Sequence, residues 1–531
     1  MRTPAILLAT SLLATACTDV PEISEDPEDS IFVDDGKADD FYSASAYEYR
    51  ITGKSSVTLD ASYAGKSDAE RLAAAKQLID LKQIAIAWFI TQYFVDKEDE
   101  DSNKDFGGFG GMAKAGEYAD LAISPRADKL TYDFTFNQTA AGSKNMMSKL
   151  PIKTVGGKQT FSLDIGKPSN AQLAQLDTNN EWYRQDPYGS WDPSKLPADQ
   201  KETIQFAIAK ETQSTDGFFD IARLVEDGKL DVDVYFGWDY HDNFHLKHSS
   251  EFFTWLKTQG FKPPVASWDK LTRTSGAFTR TLNANGKDIP IEVRLFFGKP
   301  GTDMDPETAD GGKVLEAEAR KSLNTRDVVM YEGHSGPFYG FALANWNKTT
   351  EGDLDDSDMK VIPMPKDRYQ VVLAEACDTY QIGEAFKDNP NKAGKNIDVV
   401  TTTSFSNAAS PATTEDFLSA ILAHDSTGRL RPQPISQLLT KMDAESSWGF
   451  HTMYGIHGID DDPKLVPFAN IDKFGQKCSA NADCGGPGNL CVAKKCTAAC
   501  TDTSGCGAGY TCKNVASAST STIYGKACAK N

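Results

Sequence analysis

One cysteine, Cys377, stands alone in the middle of this 531-residue chain, and a thiol is the side chain best able to attack a carbonyl near neutral pH. It closes an apolar run, Val371-Val372-Leu373-Ala374-Glu375-Ala376-Cys377. A similar run upstream, Val328-Val329-Met330-Tyr331-Glu332-Gly333, delivers His334. A thiol attacks only as the thiolate, so it needs a base, usually imidazole, and donors that hold the developing oxyanion. Two strand-like segments each carrying half of a Cys/His pair predict a cysteine hydrolase, with Cys377 as nucleophile and His334 as general base and acid. Two rival chemistries share the region. Gly333-His334-Ser335-Gly336-Pro337 approaches the Gly-x-Ser-x-Gly elbow of serine hydrolases, with Ser335 as nucleophile and Asp398 with His424 or His451 as later partners, but proline replaces the last glycine. His241-Asp242-Asn243-Phe244-His245 approaches the zincin pattern, with aspartate in place of the base glutamate, in a segment that reads as loop ahead of a helix start at Ser249.

The elements that must position these residues follow from periodicity. From about Glu181 to Asp462, strand and helix patterns alternate: strands at Leu230–Gly237, Ile289–Phe297, Val328–Gly333, Val371–Cys377 and Ile397–Thr402, and helices at Ser249–Gln259, Ala317–Leu323, Gln381–Lys387 and Thr414–Ala423. Such alternation predicts an α/β domain with a mostly parallel sheet covered on both faces, and chemistry gathers at the carboxyl ends of its strands, where His334 and Cys377 both fall. Phe278–Phe297, with Asn285-Gly286 inside, reads as an inserted hairpin. Residues 41–176 form a separate N-terminal α+β domain. Its strands lie at Tyr47–Leu59, Lys129–Phe136 and Gln159–Ile165, and its one helix opens with a Ser67/Glu70 capping box. Asp96–Gly111, acidic and then glycine-rich, reads as a loop.

An apolar strand ending in a Gly-His-Gly-like turn, followed about forty residues later by an apolar strand ending in Ala-Cys, resembles the caspase, gingipain and legumain group of cysteine peptidases. The resemblance covers residues 230–423. It implies a caspase-like fold in which the two residues sit on neighbouring parallel strands, the histidine strand first. It also implies peptide substrates, no required cofactor, and an oxyanion hole from the backbone N–H groups of Cys377 and of the glycine after the histidine. This chain departs from the pattern there, since Ser335 intervenes and Gly336 comes one place late. Trp346 is similar to a tryptophan found beyond the histidine in gingipain-like members. Trp238-Asp239-Tyr240-His241 stands where caspases carry an arginine, which argues against aspartate specificity.

The ends of the chain bound where such an enzyme would work. Met1-Arg2, the apolar stretch to Leu13 and Ala14-Thr15-Ala16-Cys17 read as an export signal over residues 1–17; with Leu13 nearby they resemble a lipobox, in which Cys17 bears the lipid. Residues 18–40 carry ten acids and one lysine and read as an acidic disordered tether. The expectation is an outer-membrane or cell-surface lipoprotein, alternatively a secreted protein, touching membrane only through its anchor. Eight cysteines crowd residues 474–531: Cys478, Cys484, Cys491, Cys496, Cys500, Cys506, Cys512 and Cys528. With no histidine there and an oxidising destination, they predict two tandem units of two disulfides each, pairing undetermined, rather than zinc sites. A net charge of −20 argues against nucleic acid as a partner. Two acidic loops could hold calcium, Asp303, Asp305, Glu307 and Asp310 in one, Asp353, Asp355, Asp356 and Asp358 in the other, though neither fits the twelve-residue calcium loop. The non-enzymatic alternative is a surface recognition lipoprotein whose α/β domain is a pseudoenzyme scaffold.

Overall fold

The computed structural model describes residues 41–101, 120–176, 182–189, 191–284, 287–335, 340–392, 395–403, 406, 409–424, 426–445, 452–463, 476–484, 489–498, 500, 510–516 and 523–530. The export signal, the lipidation candidate Cys17 and the acidic tether lie outside the described residues, as do Gly336 and Cys506.

The short strand β1 (Phe41–Ser43) leads through two residues into β2 (Ala46–Thr58). The helix α1 (Asp68–Asp101) then opens on the expected capping box, in which the Ser67 and Glu70 side chains each bond the other's backbone N–H, at 3.3 and 2.9 Å. The helix runs on through Asp96–Asp101, so the start of the segment expected to be a loop is helical instead; Glu and Lys are good helix formers, and propensity does not oppose the extension. Strands β3 (Ile123–Pro125), β4 (Thr131–Ser143), β5 (Lys153–Val155), β6 (Lys158–Gly166) and β7 (Lys201–Lys210) complete an antiparallel six-stranded sheet in the order β3-β4-β2-β7-β6-β5. Buried Ile79, Ile86, Phe89 and Ile90 of α1 pack on its apolar face. Strand β7 comes from beyond residue 176, so this sheet draws on residues 46–210.

The second sheet holds eight strands. Strand β8 (Leu230–Phe236) is buried at every position, as a strand covered on both faces must be. Helix α2 (Phe244–Thr258) follows, then the antiparallel pair β9 (Phe278–Ala284) and β10 (Lys287–Phe297), helix α3 (Ala309–Thr325) and β11 (Val328–Glu332). A two-residue-wide ribbon, β12 (Phe341–Ala342) with β13 (Asp353–Leu354), precedes β14 (Gln370–Glu375), helix α4 (Tyr380–Lys387), β15 (Ile397–Thr402), helices α5 (Ala412–Ile421) and α6 (Ile435–Glu445), and β16 (Tyr454–His457). The order is β1-β16-β15-β14-β11-β8-β10-β9. Strands β10, β8, β11, β14 and β15 are parallel, and β16 and β9 run antiparallel to their neighbours. The expected inserted hairpin is therefore the edge of this sheet, with β10 serving as a full parallel member.

Period-two alternation sorts the side chains to two faces. Val232, Val234, Val328, Met330, Val371 and Leu373 meet Phe252 of α2, Phe417 of α5 and Leu439 of α6. Tyr235, Val329, Tyr331, Val372 and Ala374 meet Leu315 of α3 and Phe386 of α4. The chain is thus mixed α/β, with helices on both faces of a mostly parallel sheet. The N-terminal sheet is tied to it directly: β1 pairs antiparallel with β16, Ser43 Oγ donates to the Tyr454 carbonyl at 2.6 Å, and Tyr380 Oη donates to Glu48.

Near the C-terminus, β17 (Asn489–Val492) pairs with β18 (Lys495–Ala498) and β19 (Tyr510–Ala516) with β20 (Ile523–Lys530). Disulfides join Cys478 to Cys491, Cys484 to Cys496, and Cys500 to Cys512, and Cys528 is disulfide-bonded as well. The first unit interlocks first with third and second with fourth cysteine. The two units share an apolar interior so small, Leu490 and Val492 with Val515 and Ala527, that the cross-links must carry much of their stability. Among the described residues no helix is long and apolar enough to cross a membrane.

Candidate active site

In the parallel pair β11 and β14, Val328 faces Val371 and Glu332 faces Glu375. His334 and Cys377 each follow by two residues, so they leave the sheet at equivalent points of one edge. The Gly333 N–H donates to the Glu375 carbonyl at 3.0 Å, which carries the pairing one step past the strands. Beyond Cys377 the chain turns sharply, with Asp378 in the left-handed region at φ 53°, before α4 begins. Thr379 and Thr402 stitch that turn: Thr379 Oγ1 donates to the Ala374 carbonyl at 2.7 Å, and Thr402 N–H donates to Thr379 Oγ1 at 2.9 Å.

His334 is held from two sides. Its carbonyl accepts from Tyr331 Oη at 2.6 Å, and glycines at 237 and 333 leave room for that hydroxyl, since a Cβ at either would come within 2.2 and 2.6 Å of it. Its Nε2 lies 2.6 Å from Asp239 Oδ1. Asp239 comes from the turn after β8. Its other oxygen accepts the N–H groups of His241, Asp242 and Phe244 at 3.1, 2.9 and 3.1 Å, and Asn243 closes the turn at φ 57°, a conformation asparagine tolerates. Against its burial, these bonds hold the Asp239 carboxyl far below the usual carboxylate range, so it is ionised. Burial lowers the His334 pKa, with Asp239 opposing, so the imidazole is neutral at pH 7. A carboxylate can only accept; Nε2 therefore carries the proton, and Nδ1 keeps a lone pair for base work. Tyr240 lies against the His334 ring at 4.5 Å between centroids, tilted by 32°, and Trp346 meets it edge-on at 6.1 Å.

Cys377 carries a free thiol, on a residue that is half-buried as a whole. Burial, then the neighbouring Asp378, pushes it up to about 12, against hydrogen bonds from Ser406. Among the described residues no hydrogen bond joins it to the His334 imidazole. The in-register strands bring the two to the same edge of the sheet, and Ser406, which bonds Cys377, lines a cleft with His334, although Cys377 itself is not among the residues lining it. That cleft, of about 340 Å³ with its mouth, has Glu332, Glu375 and His248 in its walls.

Glu332 and Glu375 belong to no motif in the sequence, although each occupies the second place before the histidine or the cysteine. Glu332 Oε1 pairs with His248 Nδ1 at 2.5 Å, while its Oε2 is buried without a partner. Glu375 accepts from Tyr454 Oη at 2.8 Å, and burial followed by the charge of Glu332 raises it to about 8. Its folded pKa thus exceeds the unfolded value of about 4.3, so folding favours the protonated acid and stability is lost as pH rises from 4 to 8. We expect Glu375→Gln, which keeps an acceptor for Tyr454 but cannot ionise, to melt higher than the parent at pH 8.5 and close to it at pH 4.5. Parallel melting curves across that range would contradict this assignment.

Among the described residues no hydrogen bond joins the members of either rival constellation. Ser335 Oγ is buried without a hydrogen-bond partner; Asp398 accepts from Tyr369 Oη, and His424 contacts the Leu422 carbonyl and Arg280. His451 lies outside the described residues. The zincin-like segment is not the loop its sequence suggests: α2 starts at Phe244, so His245 and His248 are helical. His245 is buried, with Nδ1 accepting from the Asp239 N–H at 3.3 Å, while His241 points to solvent and to Asp239 Oδ1. Five of the eight carboxylates of the acidic loops serve turns and ion pairs. Asp305 accepts from the Gly301 and Glu307 N–H groups, Asp355 and Asp358 form a capping box, and Asp303, Glu307 and Asp358 pair with Arg273, Lys348 and Arg320.

Compared with family models, curated proteins and solved structures, the chain matches none.

Proposed function

We propose that this protein is a cysteine endopeptidase of the caspase and gingipain kind, exported and anchored through Cys17, with Cys377 as nucleophile and His334 as general base and acid. The observation that carries the reading is the His334 imidazole, oriented by the buried Asp239 carboxylate at the edge where the in-register neighbouring strand delivers Cys377. Adjacent parallel strands, histidine strand first, are what the family resemblance implies. Peptide enters along the rim; His334 Nδ1 takes the thiol proton as sulfur attacks the carbonyl carbon, and Asp239 stabilises the imidazolium. The imidazolium then gives that proton to the leaving amine, and a water activated in the same way hydrolyses the thioester. The Cys377 N–H is one candidate oxyanion donor; the second, at Gly336, falls outside the described residues.

With a thiol titrating near 12, about one part in 10⁵ is thiolate at pH 7, so nucleophile formation depends on transfer to the imidazole during attack rather than on a standing ion pair. The same observation favours the second reading, a pseudoenzyme scaffold for surface recognition. A peptide acyloxymethyl ketone followed by mass-spectrometric mapping separates the two. Modification at Cys377 with loss of hydrolysis is the expected result; an unmodified, inactive protein would leave the recognition role, and labelling of Ser335 by a fluorophosphonate would move the chemistry to serine.

Asp239→Asn is the sharper probe of the site. An asparagine amide turned toward His334 would donate to Nε2 and force the proton onto Nδ1, which removes the base without removing a ring. The expected result is a fall in kcat of about 10²–10⁴ with KM little changed. Retention of more than a tenth of the parental kcat would exclude Asp239 as the orienting group.

A further inference from the structure

We propose that Asp239, His241 and His334 form a binding site for a divalent transition ion of the zinc class at the rim of the cleft. A single carboxylate oxygen, Asp239 Oδ1, is approached by His334 Nε2 at 2.6 Å and by His241 Nδ1 at 3.2 Å, and one ligand atom from each residue lies within 4.8 Å of the others. Metal–ligand bonds of about 2.0–2.1 Å in a tetrahedron put ligand atoms roughly 3.3–3.5 Å apart. The contact from His334 must therefore open by less than about 1 Å, and that from His241 barely moves.

The supporting shell is already built. The three backbone N–H groups on Asp239 Oδ2 fix the carboxylate and leave Oδ1 facing both rings, which is how outer hydrogen bonds orient a metal ligand. The Tyr240 ring lies against His241 and His334, at 4.0 and 4.5 Å between centroids, and limits their rotation. An entry path exists, because the His241 side chain is 49% exposed while Asp239 and His334 are 3% and 14% exposed. Two imidazoles and one carboxylate suit zinc, cobalt or nickel, and disfavour calcium and magnesium, which want more oxygens. Three protein ligands leave a fourth position for water.

A consequence for regulation rests on the peptidase reading above. An ion on His334 Nε2 displaces the proton now shared with Asp239, and the neutral ring must carry that proton on Nδ1 instead. No proton leaves the protein, yet the lone pair that would accept from Cys377 is gone. Metal occupancy and base action are therefore mutually exclusive, which makes the site a reversible off-switch.

The full chain, freed of metal by dialysis against EDTA and then of chelator, should take up one equivalent of Zn²⁺ by calorimetry, and Co²⁺ should show the visible bands of a four-coordinate site. His241→Ala should weaken Zn²⁺ binding about tenfold or more, and His424→Ala, remote and exposed, should not. Cysteines 478, 484 and 496 are disulfide-bonded and supply no competing thiolates. Absence of Zn²⁺ binding, or binding equally tight in His241→Ala, would overturn the proposal. In a peptide-hydrolysis assay, the ratio of rates with and without micromolar Zn²⁺ should fall well below one for the parent and rise toward one in His241→Ala, with EDTA restoring the parent. A chain that binds the ion through His241 but hydrolyses no peptide would uphold the metal site and refute the peptidase.

Discussion

Cys377→Ala is expected to lower peptide hydrolysis by about 10⁴-fold or more while the protein still folds, and His334→Ala to do the same, because neither member of a nucleophile–base pair works without the other. The double variant should be scarcely worse than either single one, since groups that act as a unit are not additive. The measurement is kcat on a mixed peptide library with circular dichroism as the folding check. The pH profile should report the base: His334 titrates below its usual 6.5 because of burial, so activity is expected to hold through neutrality and to fall as the pH drops through that lowered pKa and protonates Nδ1. Normal turnover by either single variant would end the proposed mechanism.

A large structural effect is expected at Gly458, just past β16. This residue sits at φ 94°, and a Cβ there would lie 1.9 Å from the Ile397 carbonyl oxygen and 3.0 Å from Asp398 Oδ1. The obstacle is backbone at the start of β15, which has no rotamer to escape into. Gly458→Ala must either flip its own backbone or push β16 away from β15, and β16 is also the strand on which β1 is seated. We expect a loss on the order of 4 kcal/mol, a fall in Tm of roughly 10 °C for a domain of this size, and weakened attachment of the N-terminal sheet. Gly428→Ala is the control: φ is 78° but nothing lies within 4 Å of its Cβ, so only the left-handed strain of about 1–2 kcal/mol applies. Equal melting temperatures for the two variants would show that the close approach to Ile397 does not matter.

Much of the fold could be read from local pattern because each element states its own period. The strand Ile397–Thr402 lies where the apolar run and its flanks put it, and the other parallel strands and the Ser67 capping box were legible for the same reason. Helix starts were less legible. Helix α2 begins at Phe244 rather than Ser249 because the Asp239 turn accepts three N–H groups and aims the chain into the helix, an arrangement no spacing rule reveals. Helix α3 likewise extends from Ala309 to Thr325, far beyond its apolar centre, because Thr308 caps its first turn through the Gly311 N–H. Strands β1, β7 and β16 went unread because short or partly polar strands acquire their identity only from the partner they pair with.

What the sequence alone determined is which residues could react and that both sit at strand ends: an isolated thiol, a histidine after an apolar run, and a tail whose cysteines crowd too densely for anything but cross-linking. What only the tertiary structure decided is their electrostatic state. Asp239, ninety-five residues before His334, becomes the partner that fixes its tautomer, Glu332 and Glu375 become opposed buried acids, and Cys377 becomes a thiol that burial keeps protonated. The reason is physical. Hydrophobic period is a local property that neighbours along the chain express together, whereas charge state depends on burial and on polar groups within a few ångströms, and parallel strands draw those groups from distant parts of the chain.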